Sequence, residues 1–391
     1  MHTRTILMMG RMLDQRDGLG IYGLNLFRHL LAADRATRYI IVLASDQHVD
    51  AFAEFPNAEI LVMPVGRKFW WDQITIARIA RRKSADLIFN PKFSVPLLTR
   101  VPSVMVLRSS DWYVNPSNYE WWDNWYVRLF MPIYGRKAAR LLAVSGHIRD
   151  DLVRYAGIDP AKVTVSYSAP ADYFRGEIEH RQFEETARRW ALPEKYILST
   201  ARVHHTGFSR KIVYPGANLE SLVRGYRLYR RSGGTLPLVL AGDELRAYLE
   251  GKGLGDSDLE DIHFLGLVPH REMPVLLRLA TFFVLTTLYE SFSLPLIEAM
   301  ATGCPIIGPA SGAVPEITGG AAVLVNPRDP AAIAEEMSVL GRSWQRQAAH
   351  RDAGLRRAAD FTWPRTAALT LDVFDQVLGA RPIPAAGRIA G

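Results

Sequence analysis

Two glutamates, Glu290 and Glu298, lie within residues 289–305 (YESFSLPLIEAMATGCP) and are the side chains whose type and spacing most directly suggest chemistry. The apolar run 282–285 before them predicts a buried strand, and residues 295–302 predict a helix. Glu290 would then lie at the carboxyl end of a strand, where open α/β sheets bind ligands, and Glu298 one turn into the helix. Taken alone, the pair also fits a loop cap and a solvated helix face, so neighbouring residues must decide.

The start of this predicted helix carries groups that suit a phosphate. Ser293 is placed near the N-cap, and the backbone N–H groups of Ser293 and Leu294 would face an anion at the helix N-terminus. Ser291 and Phe292 complete the loop that follows Glu290. We therefore expect the four residues from Ser291 to Leu294 to contact a bound ligand.

Cations and glycines follow the other predicted strands of the second half. Parallel strands end at the same edge of a sheet, so residues that follow them should share one rim. Arginine grips phosphate oxygens with a fork of N–H groups, lysine adds a point charge, and glycine lets the backbone approach closely. Carboxylates accept hydrogen bonds from sugar hydroxyls, so the set favours a nucleotide-sugar site; its members are Arg202, Arg210, Lys211, Gly242, Gly266 and Glu290.

A glycine motif in the first half points to a different ligand. Gly18, Gly20 and Gly23 form a G-x-G-x-x-G pattern, and Asp46 follows at a distance typical of nicotinamide-dinucleotide sites. In that fold the first glycine directly follows the first strand, whereas here a polar loop separates Gly18 from a strand that ends near Met9. We therefore expect Gly18 and Gly20 to open a helix from a loop reaching over a cleft between two domains, where bare backbone approaches a sugar or phosphate.

Composition bounds the class of protein. A chain of 391 residues with 48% hydrophobic residues is long enough for two cores. The single cysteine, Cys304, excludes an internal disulfide, the N-terminus lacks a secretory leader pattern, and no 18-residue apolar stretch occurs. We expect a cytoplasmic protein. The net charge is +7 and the first half is the more basic, but the pattern predicts no nucleic-acid partner.

Residues 112–140 combine aromatic and basic side chains, among them Trp121, Trp122 and Trp125. Such a segment can rest on an anionic membrane surface, which would place the protein at the inner face of the membrane. An ordinary helix with an aromatic core face explains the same pattern. The sequence leaves both interpretations open.

Apolar strand-like runs alternate with helix-like stretches along the whole chain, and the pattern restarts near Tyr196. This alternation is typical of an α/β fold with two doubly wound, Rossmann-like domains. We place an N-terminal domain at residues 1–192 and a C-terminal domain at residues 193–363. Residues 364–379 predict a final helix that packs back on the first domain, and residues 380–391 predict a flexible tail.

The chain resembles the family 4 glycosyltransferases of the GT-B fold, also called glycosyl transferases group 1. In the second half the resemblance rests, in order, on an arginine after the first strand, LAGDE, FLGLVPHREMP, YESFSLPLIEAMATGCPII, GAVPEI and LVNPRDP. In the first half it rests on the loop at Gly18 to Gly20, VLRSSDW, AVSGHIRDDL and IDPAKVTVSYSAP. The resemblance therefore covers nearly the whole chain and implies two Rossmann-like domains with a cleft between them.

The resemblance implies a retaining transfer of a hexose from a nucleotide sugar, in which Glu290 binds the sugar and Glu298 the nucleotide ribose. Arg202 and Lys211 would hold the diphosphate. It implies a GDP- or UDP-sugar as co-substrate, with GDP-mannose preferred, no permanently bound cofactor and no metal. The resemblance also implies that residues 1–192 form the acceptor-binding domain and residues 193–363 the domain that binds the sugar donor. The acceptor would be a saccharide or lipid-linked saccharide, as in the synthesis of cell-surface polysaccharide or glycolipid.

The sequence departs from the family pattern at three places. Ala217 stands where a lysine often precedes the asparagine Asn218, after an insertion near residues 207–216, so we expect Lys211 to reach in from the insertion, with Arg210 as the substitute. Serines 291 and 293 replace the usual glycines. A histidine common in the family near residues 107–112 is absent, and Arg108 and Asp111 are our candidates for its place.

Two other functions fit the same residues. A catalytically silent nucleotide-sugar-binding or scaffold protein is favoured by the missing histidine and the displaced lysine. A GT-B enzyme of other chemistry, such as an epimerase or a phosphorylase, is disfavoured by the glutamate pair and its loop.

Arginine at position 108 cannot serve as a base near neutral pH, so its contribution would be electrostatic.

Overall fold

The computed structural model describes residues 4–15, 18–206, 211–213 and 215–379, with backbone only for 204–206, 211–213 and 215. The predicted tail at residues 380–391 lies outside the described residues. Fifteen strands occur in the described chain: β1 Thr5–Met9, β2 Arg38–Leu43, β3 Ala58–Val62, β4 Leu87–Asn90, β5 Ser103–Leu107, β6 Arg140–Ala143, β7 Val163–Val165, β8 Ile197–Thr200, β9 His204–Thr206, β10 Lys211–Val213, β11 Leu238–Ala241, β12 Ile262–Gly266, β13 Phe282–Val284, β14 Ile306–Pro309 and β15 Val323–Val325.

Sixteen α-helical segments accompany these strands in the described chain: α1 Gly18–Ala33, α2 Lys68–Trp70, α3 Ile76–Arg82, α4 Asp111–Val114, α5 Trp121–Lys137, α6 Gly146–Ala156, α7 His180–Arg189, α8 Leu219–Arg231, α9 Leu245–Gly251, α10 Asp256–Leu259, α11 Met273–Leu279, α12 Leu294–Ala301, α13 Val314–Thr318, α14 Pro330–Arg342, α15 Trp344–Ala358 and α16 Trp363–Leu378. A π-helical segment, Trp71–Thr75, joins α2 to α3, and short 3₁₀ turns include Arg11–Asp14 and Asp172–Phe174.

The described chain divides into two compact units. Unit 1 comprises the chain up to Tyr113, Trp125–Ala169 and the chain from Thr362 onward. Unit 2 comprises Val114–Asn124 and Pro170–Phe361.

Unit 1 is built on a seven-stranded sheet with the order β3-β2-β1-β4-β5-β6-β7, in which every neighbouring pair is parallel. Its strands read as runs of apolar residues because helices cover a parallel sheet on both faces. Ile40 and Val42 pack with Ile76 on one side. On the other side Phe89 meets Phe374 of α16, with ring centroids 5.1 Å apart.

Unit 2 is built on a six-stranded sheet with the order β12-β11-β8-β13-β14-β15, again parallel throughout. Helices α8 and α14 pack on each other and on this sheet, which buries Tyr226, Phe282 and Met337 in one cluster. Both sheets confirm the predicted α/β architecture of two doubly wound domains.

Local signals explain where several helices begin and end. Ser145 accepts a hydrogen bond from the N–H of Ile148 at the start of α6, and Gly157 ends that helix with φ +59°. Thr362 caps α16 in the same way, through the N–H of Arg365, and Gly379 ends it with φ +66°. The final helix thus spans Trp363–Leu378, close to the predicted range 364–379.

The main division of the chain falls between Ala169 and Pro170, earlier than the boundary that the sequence placed at residues 192 and 193. The intervening segment packs into unit 2 because α7 lies on α11 and Arg278 Nη2 donates to the carbonyl oxygen of Gly176 at 2.7 Å. Helix α16 belongs to unit 1, where it packs on α1. The acceptor and donor roles of the two units stay predictions.

The sequence did not predict three short strands. Strand β7 has only three residues, all half-buried. Strands β9 and β10 form an antiparallel hairpin, with Lys211 paired to Thr206, within the region taken as an insertion. Each is too short for a period-2 pattern to stand out.

Trp363 tests the packing of α16 in unit 1. Its side chain is 1% exposed and meets the ring of Tyr22 edge to face at 5.6 Å. We expect Trp363→Ala to cost about 3–5 kcal/mol of unfolding free energy, because it leaves a large cavity. Trp344→Ala is the control, since Trp344 is 70% exposed. Urea unfolding followed by circular dichroism measures both, and equal midpoints for the two variants would contradict the role of α16.

Candidate functional site

The carboxyl edge of the unit 2 sheet collects most of the residues that the sequence selected. Strand β8 pairs with β11 on one side and β13 on the other, so the strand order changes direction at this point. Ligands of open α/β sheets bind in the crevice outside the carboxyl ends at such a switch point. Arg202, with an exposed side chain, follows β8, and Glu290 follows β13.

Glu290 is held by contacts on both its side chain and its backbone. The hydroxyl of Thr287 donates to Glu290 Oε1 at 2.8 Å, and the N–H of Ala313 donates to the Glu290 carbonyl oxygen at 2.8 Å. Gly312 permits the second contact, because a Cβ there would lie 2.3 Å from the Glu290 carbonyl oxygen. Gly312 also has φ +57°, a conformation that favours glycine. The carboxylate of Glu290 therefore has a fixed place at this edge.

The start of α12 presents backbone N–H groups at the same edge. Ser293 is the N-cap, as predicted, but with φ +73° its side chain makes no capping hydrogen bond. Within the described residues the buried Oγ of Ser293 has no hydrogen-bond partner. Phe292 is buried against Phe361, with ring centroids 5.9 Å apart, which anchors the loop. In the first turn of α12 Pro295 has no N–H, but the N–H groups of Leu294 and Leu296 have no partner within the helix and suit an anion.

Glu298 is 5% exposed and belongs to a chain of three polar side chains. Its Oε1 lies 2.9 Å from His270 Nε2, and His270 Nδ1 lies 2.5 Å from the hydroxyl of Tyr173. A carboxylate only accepts, so Nε2 carries the proton toward Glu298, and in the neutral ring Nδ1 accepts from Tyr173. Burial, and after it the charge of Glu298, raises the pKa of Tyr173 to about 12. Tyr173 thus stays a neutral hydrogen-bond donor.

Gly242 and Gly266 bring the ends of neighbouring strands together. The N–H of Gly242 donates to the carbonyl oxygen of Gly266 at 2.8 Å. Gly242 has φ +155°, and a Cβ on it would lie 2.2 Å from the carbonyl oxygen of Ala201. A side chain at position 242 would therefore push apart the ends of β8 and β11.

Asn218 ties three segments of unit 2 together behind the edge. Its Nδ2 donates to the carbonyl oxygens of Thr286 at 2.8 Å and Pro327 at 2.7 Å. Thr286 Oγ1 in turn donates to the Asn218 carbonyl oxygen at 3.2 Å. Asn218 therefore fixes the segment between β13 and Glu290 against the start of α8.

Unit 1 places a second group of polar residues at the carboxyl end of β5. The guanidinium of Arg108 lies 4.0 Å from the ring centroid of the buried Tyr22. Burial raises the pKa of Tyr22 to about 12, and the charge of Arg108 opposes that rise. Asp111 is buried at the start of α4, where its N–H donates to Ser109 Oγ at 3.1 Å.

His147 lies close to this second group through Asp151. Ser110 Oγ donates to Asp151 Oδ2 at 2.5 Å, and His147 Nε2 lies 3.3 Å from the same oxygen. A histidine side chain therefore lies near residues 107–112, the segment in which this chain lacks the histidine common in the family.

The glycines at the start of α1 let this helix lie close to the backbone of the preceding loop. Gly18 is the first residue of α1, and the 3₁₀ turn Arg11–Asp14 separates it from β1. A Cβ on Gly20 would lie 2.0 Å from the carbonyl oxygen of Gln15. The helix therefore opens from a longer loop, as predicted, and not from the tight turn of a dinucleotide site.

Comparison with known proteins agrees with this geometry. The family model described as Glycosyl transferases group 1 matches residues 205–342, and the model described as Glycosyltransferase Family 4 matches residues 16–169. The chain belongs to these glycosyltransferase families. The family 4 match covers most of the unit 1 sheet and the group 1 match covers the edge that carries Glu290.

Relatives and solved structures extend the comparison. The chain is 30% identical over 249 residues to O-antigen chain mannosyltransferase B of Escherichia coli, covering 61% of this chain and 60% of that protein. A glycosyltransferase from Rickettsia africae has a similar fold, with a TM-score of 0.74, 15% identity and coverage of 97% and 99% of the two chains. Anabaena HepE, solved with UDP and glucose, gives a TM-score of 0.71, 15% identity and coverage of 95% and 100%. The fold of this glycosyltransferase family member is therefore GT-B.

Several predicted site residues of this family member lie together, and others do not enter the description. Arg202, Gly242, Gly266, the loop from Ser291 to Leu294 and both glutamates belong to unit 2, whereas Gly18, Gly20, Arg108 and Asp111 belong to unit 1. Arg210 lies outside the described residues, and for Lys211 only the backbone in β10 is described. All assigned roles stay predictions.

The structure adds residues that the sequence did not select as a site. These are Tyr173 and His270 beside Glu298, Asn218 behind Glu290, and His147 with Asp151 in unit 1. The only signal for His270 and Asn218 was their place in the quoted motifs.

In the part of the chain that the structure describes, no helix has the length and apolar character needed to cross a membrane. The same residues contain no group of three or more His, Cys, Asp or Glu side chains that could hold a metal ion.

The contact between Gly312 and Glu290 yields a prediction. Gly312→Ala should destabilise the protein by at least about 1 kcal/mol more than Gly320→Ala, because its Cβ collides with the Glu290 backbone. Gly320 is the matched control: it has φ +85° but open space around its Cβ, so it reports the cost of the backbone conformation alone. Denaturant unfolding measures both variants. Equal destabilisation would show that the close approach at Glu290 is unimportant.

Proposed function

We propose that the protein is a retaining glycosyltransferase that moves a hexose from a nucleotide sugar to a saccharide or lipid-linked saccharide acceptor. One observation carries the proposal: Arg202, Glu290 and the start of α12 share the carboxyl edge of the unit 2 sheet where the strand order changes direction. A cation, a carboxylate and open N–H groups at one switch point fit the diphosphate and sugar of such a substrate.

The chemistry of glycosyl transfer matches these groups. An oxocarbenium-like transition state develops positive charge on the sugar and negative charge on the departing phosphate. Arg202 and the first N–H groups of α12 would stabilise the phosphate charge, and one well-placed group of this kind supplies ~3 kcal/mol. Lys211 would add to them, so that no metal ion is required.

The two glutamates would act differently. Glu290, half-buried and fixed by Thr287, would bind hydroxyls of the transferred sugar. Glu298 uses Oε1 for His270, and its Oε2 makes no hydrogen bond within the described residues. That oxygen would accept from a ribose hydroxyl of the nucleotide. Glu290 thus belongs with the chemistry and Glu298 with binding.

The proposed sugar is mannose, supplied as GDP-mannose. The name of the E. coli O-antigen mannosyltransferase supports mannose and the synthesis of a cell-surface polysaccharide. The chain spans less than two thirds of that relative, so substrate and acceptor are inferred for this protein and must be measured.

Ligand-induced thermal stabilisation against GDP-, UDP- and ADP-sugars tests the proposal. A ligand present at 100 times its dissociation constant stabilises the folded protein by about 2.7 kcal/mol. We expect stabilisation by one nucleotide class, and transfer with the anomeric configuration retained when the product is examined by NMR. No stabilisation by any nucleotide sugar would refute the proposal.

Single substitutions separate the two glutamates in the same assay. Glu290→Ala should lower turnover at least about 100-fold while nucleotide binding persists. Glu298→Ala should weaken nucleotide binding about tenfold. Glu335→Ala is the control, because this exposed glutamate of α14 lies outside the edge. If the wild type binds a nucleotide sugar but neither transfers nor hydrolyses it with any acceptor, the silent binding protein is favoured.

We also propose that the protein is cytoplasmic and rests on the inner face of an anionic membrane. Unit 1 exposes large apolar side chains on α2 and α5, with Trp70 53% and Trp125 60% exposed. Arg67 and Lys68 lie next to Trp70 in sequence and are exposed. Tryptophan with adjacent basic side chains suits the interface between lipid headgroups and acyl chains.

Sedimentation with lipid vesicles tests this contact. The wild type should bind vesicles that contain phosphatidylglycerol, and the double variant Trp70→Ala with Trp125→Ala should bind at least about fivefold more weakly, because less apolar surface enters the interface. Trp344→Ala removes an exposed tryptophan of unit 2 and should leave binding unchanged. A similar loss of vesicle binding in the double variant and in Trp344→Ala would contradict a specific role for the unit 1 surface.

A further inference from the structure

Unit 2 contains a cavity that none of the predicted site residues lines. It has a volume of about 600 Å³ and is lined by the carboxyl ends of α11 and α12 and by the second half of α15, including Arg278, Thr302 and Arg351. Helices α11 and α12 lead into β13 and β14, so the cavity lies at the amino edge of the sheet. Glu290 and the start of α12 lie at the carboxyl edge.

Three arginines line this cavity, and no carboxylate does. Arg175 follows the 3₁₀ turn Asp172–Phe174, Arg278 lies in the last turn of α11, and Arg351 lies on α15. Partial burial lowers the pKa of Arg175, against the effect of Asp172, and lowers the pKa of Arg278. Both stay charged at neutral pH, so the cavity wall carries a concentrated positive charge.

Two of these arginines also stabilise the fold, which could account for their presence. Arg175 Nη2 donates to the carbonyl oxygens of Ala358 at 2.6 Å and Phe361 at 2.7 Å, near the end of α15. Arg278 Nη2 donates to the carbonyl oxygen of Gly176 at 2.7 Å. Each uses only Nη2 in these bonds, so most of its N–H groups remain for another acceptor.

Arg351 is not explained by such a role. Its side chain is exposed, and within the described residues it has no hydrogen-bond or ion-pair partner. Its stem lies against Gly303, whose Cβ, if present, would be 3.1 Å from Arg351 Cγ. A larger residue at position 303 would therefore displace the arginine from the cavity wall.

The helix ends at this cavity do not cancel the positive charge. Helix carboxyl ends carry partial negative charge through unpaired carbonyl groups. At α12 these groups are paired, because the N–H groups of Thr302, Gly303 and Cys304 donate to the carbonyls of Glu298, Met300 and Ala299. Arg175 pairs the end of α15. Full charges on three guanidinium groups therefore dominate the cavity.

We propose that this arginine cavity is a second binding site, for a compact organic anion with one or two phosphate groups, separate from the site for the nucleotide sugar. Forked guanidinium groups match phosphate oxygens, and three of them around one space match a sugar phosphate or a diphosphate. The volume is in the range of small-molecule sites. Leu277 and Leu355 supply an apolar wall for the carbon skeleton of the ligand.

Calorimetric titration of the full-length protein with pyrophosphate, and separately with glucose 6-phosphate, tests the site. Arg351→Gln should weaken binding at this site at least about tenfold, because it removes a charged hydrogen-bond donor. Its fold should be intact, since the arginine has no partner among the described residues, and the unfolding midpoint checks this. Arg356→Gln is the matched control: an exposed arginine of the same helix that does not line the cavity.

The variant Arg202→Gln separates the two edges of the sheet. Binding that is retained in Arg202→Gln and lost in Arg351→Gln supports the second site, whether or not the protein binds a nucleotide sugar. Three outcomes would overturn it: no binding of either anion by the wild type, equal weakening by Arg351→Gln and Arg356→Gln, or loss in Arg202→Gln with Arg351→Gln unchanged.

Discussion

The site in unit 2 depends on how closely backbone segments can approach at the carboxyl edge of one parallel sheet. Gly242 lies against the carbonyl of Ala201, and Gly312 lies against the backbone of Glu290, each at a distance that excludes a Cβ. Both also have positive φ. The segments after β8, β11, β13 and β14 can therefore share one small region. The position of Glu290 is set by its backbone contacts as well as by those of its side chain.

The sequence predicted the sheets well because buried parallel strands leave a strong signal in continuous apolar runs. Strand β1 ends at Met9 and β13 lies within the apolar run 282–285, both as predicted, and the start of α12 was predicted from Ser293 and the proline after it. Strand β7 was missed because its three half-buried residues form neither a continuous apolar run nor a period-2 pattern long enough to recognise. The sequence placed residues 170–189 in the first domain, whereas the structure places them in unit 2. Their place there depends on packing against α11, which lies about 90 residues further along the chain.

For the candidate site, too, the sequence predicted what local patterns determine and missed what contacts between distant segments determine. Glu290, Arg202 and Gly242 were selected from the sequence because residues that follow parallel strands must share an edge. His270 and Tyr173 were not, because their link to Glu298 joins segments that lie far apart in sequence and have no common pattern. The hydrogen bonds show a division of the Glu298 carboxylate that residue spacing does not predict. Oε1 is bonded to His270, whose tautomer is set by Tyr173, and Oε2 remains for a ligand.

Helix α12 carries partial positive charge at its start and partial negative charge at its end, and the groups around the two ends differ. At Leu294 open N–H groups attract an anion without any side-chain charge, so a serine N-cap that makes no capping bond is useful there. At Gly303 the helix end would repel an anion, so backbone hydrogen bonds close it and arginines from three separate segments surround it. Positive charge beyond that needed for capping is hard to explain by stability alone, because three like charges gathered around one cavity, with no carboxylate in its lining, repel one another and this costs free energy. An anionic ligand offsets that cost, which is why Arg351 points to binding and Arg175 to the fold.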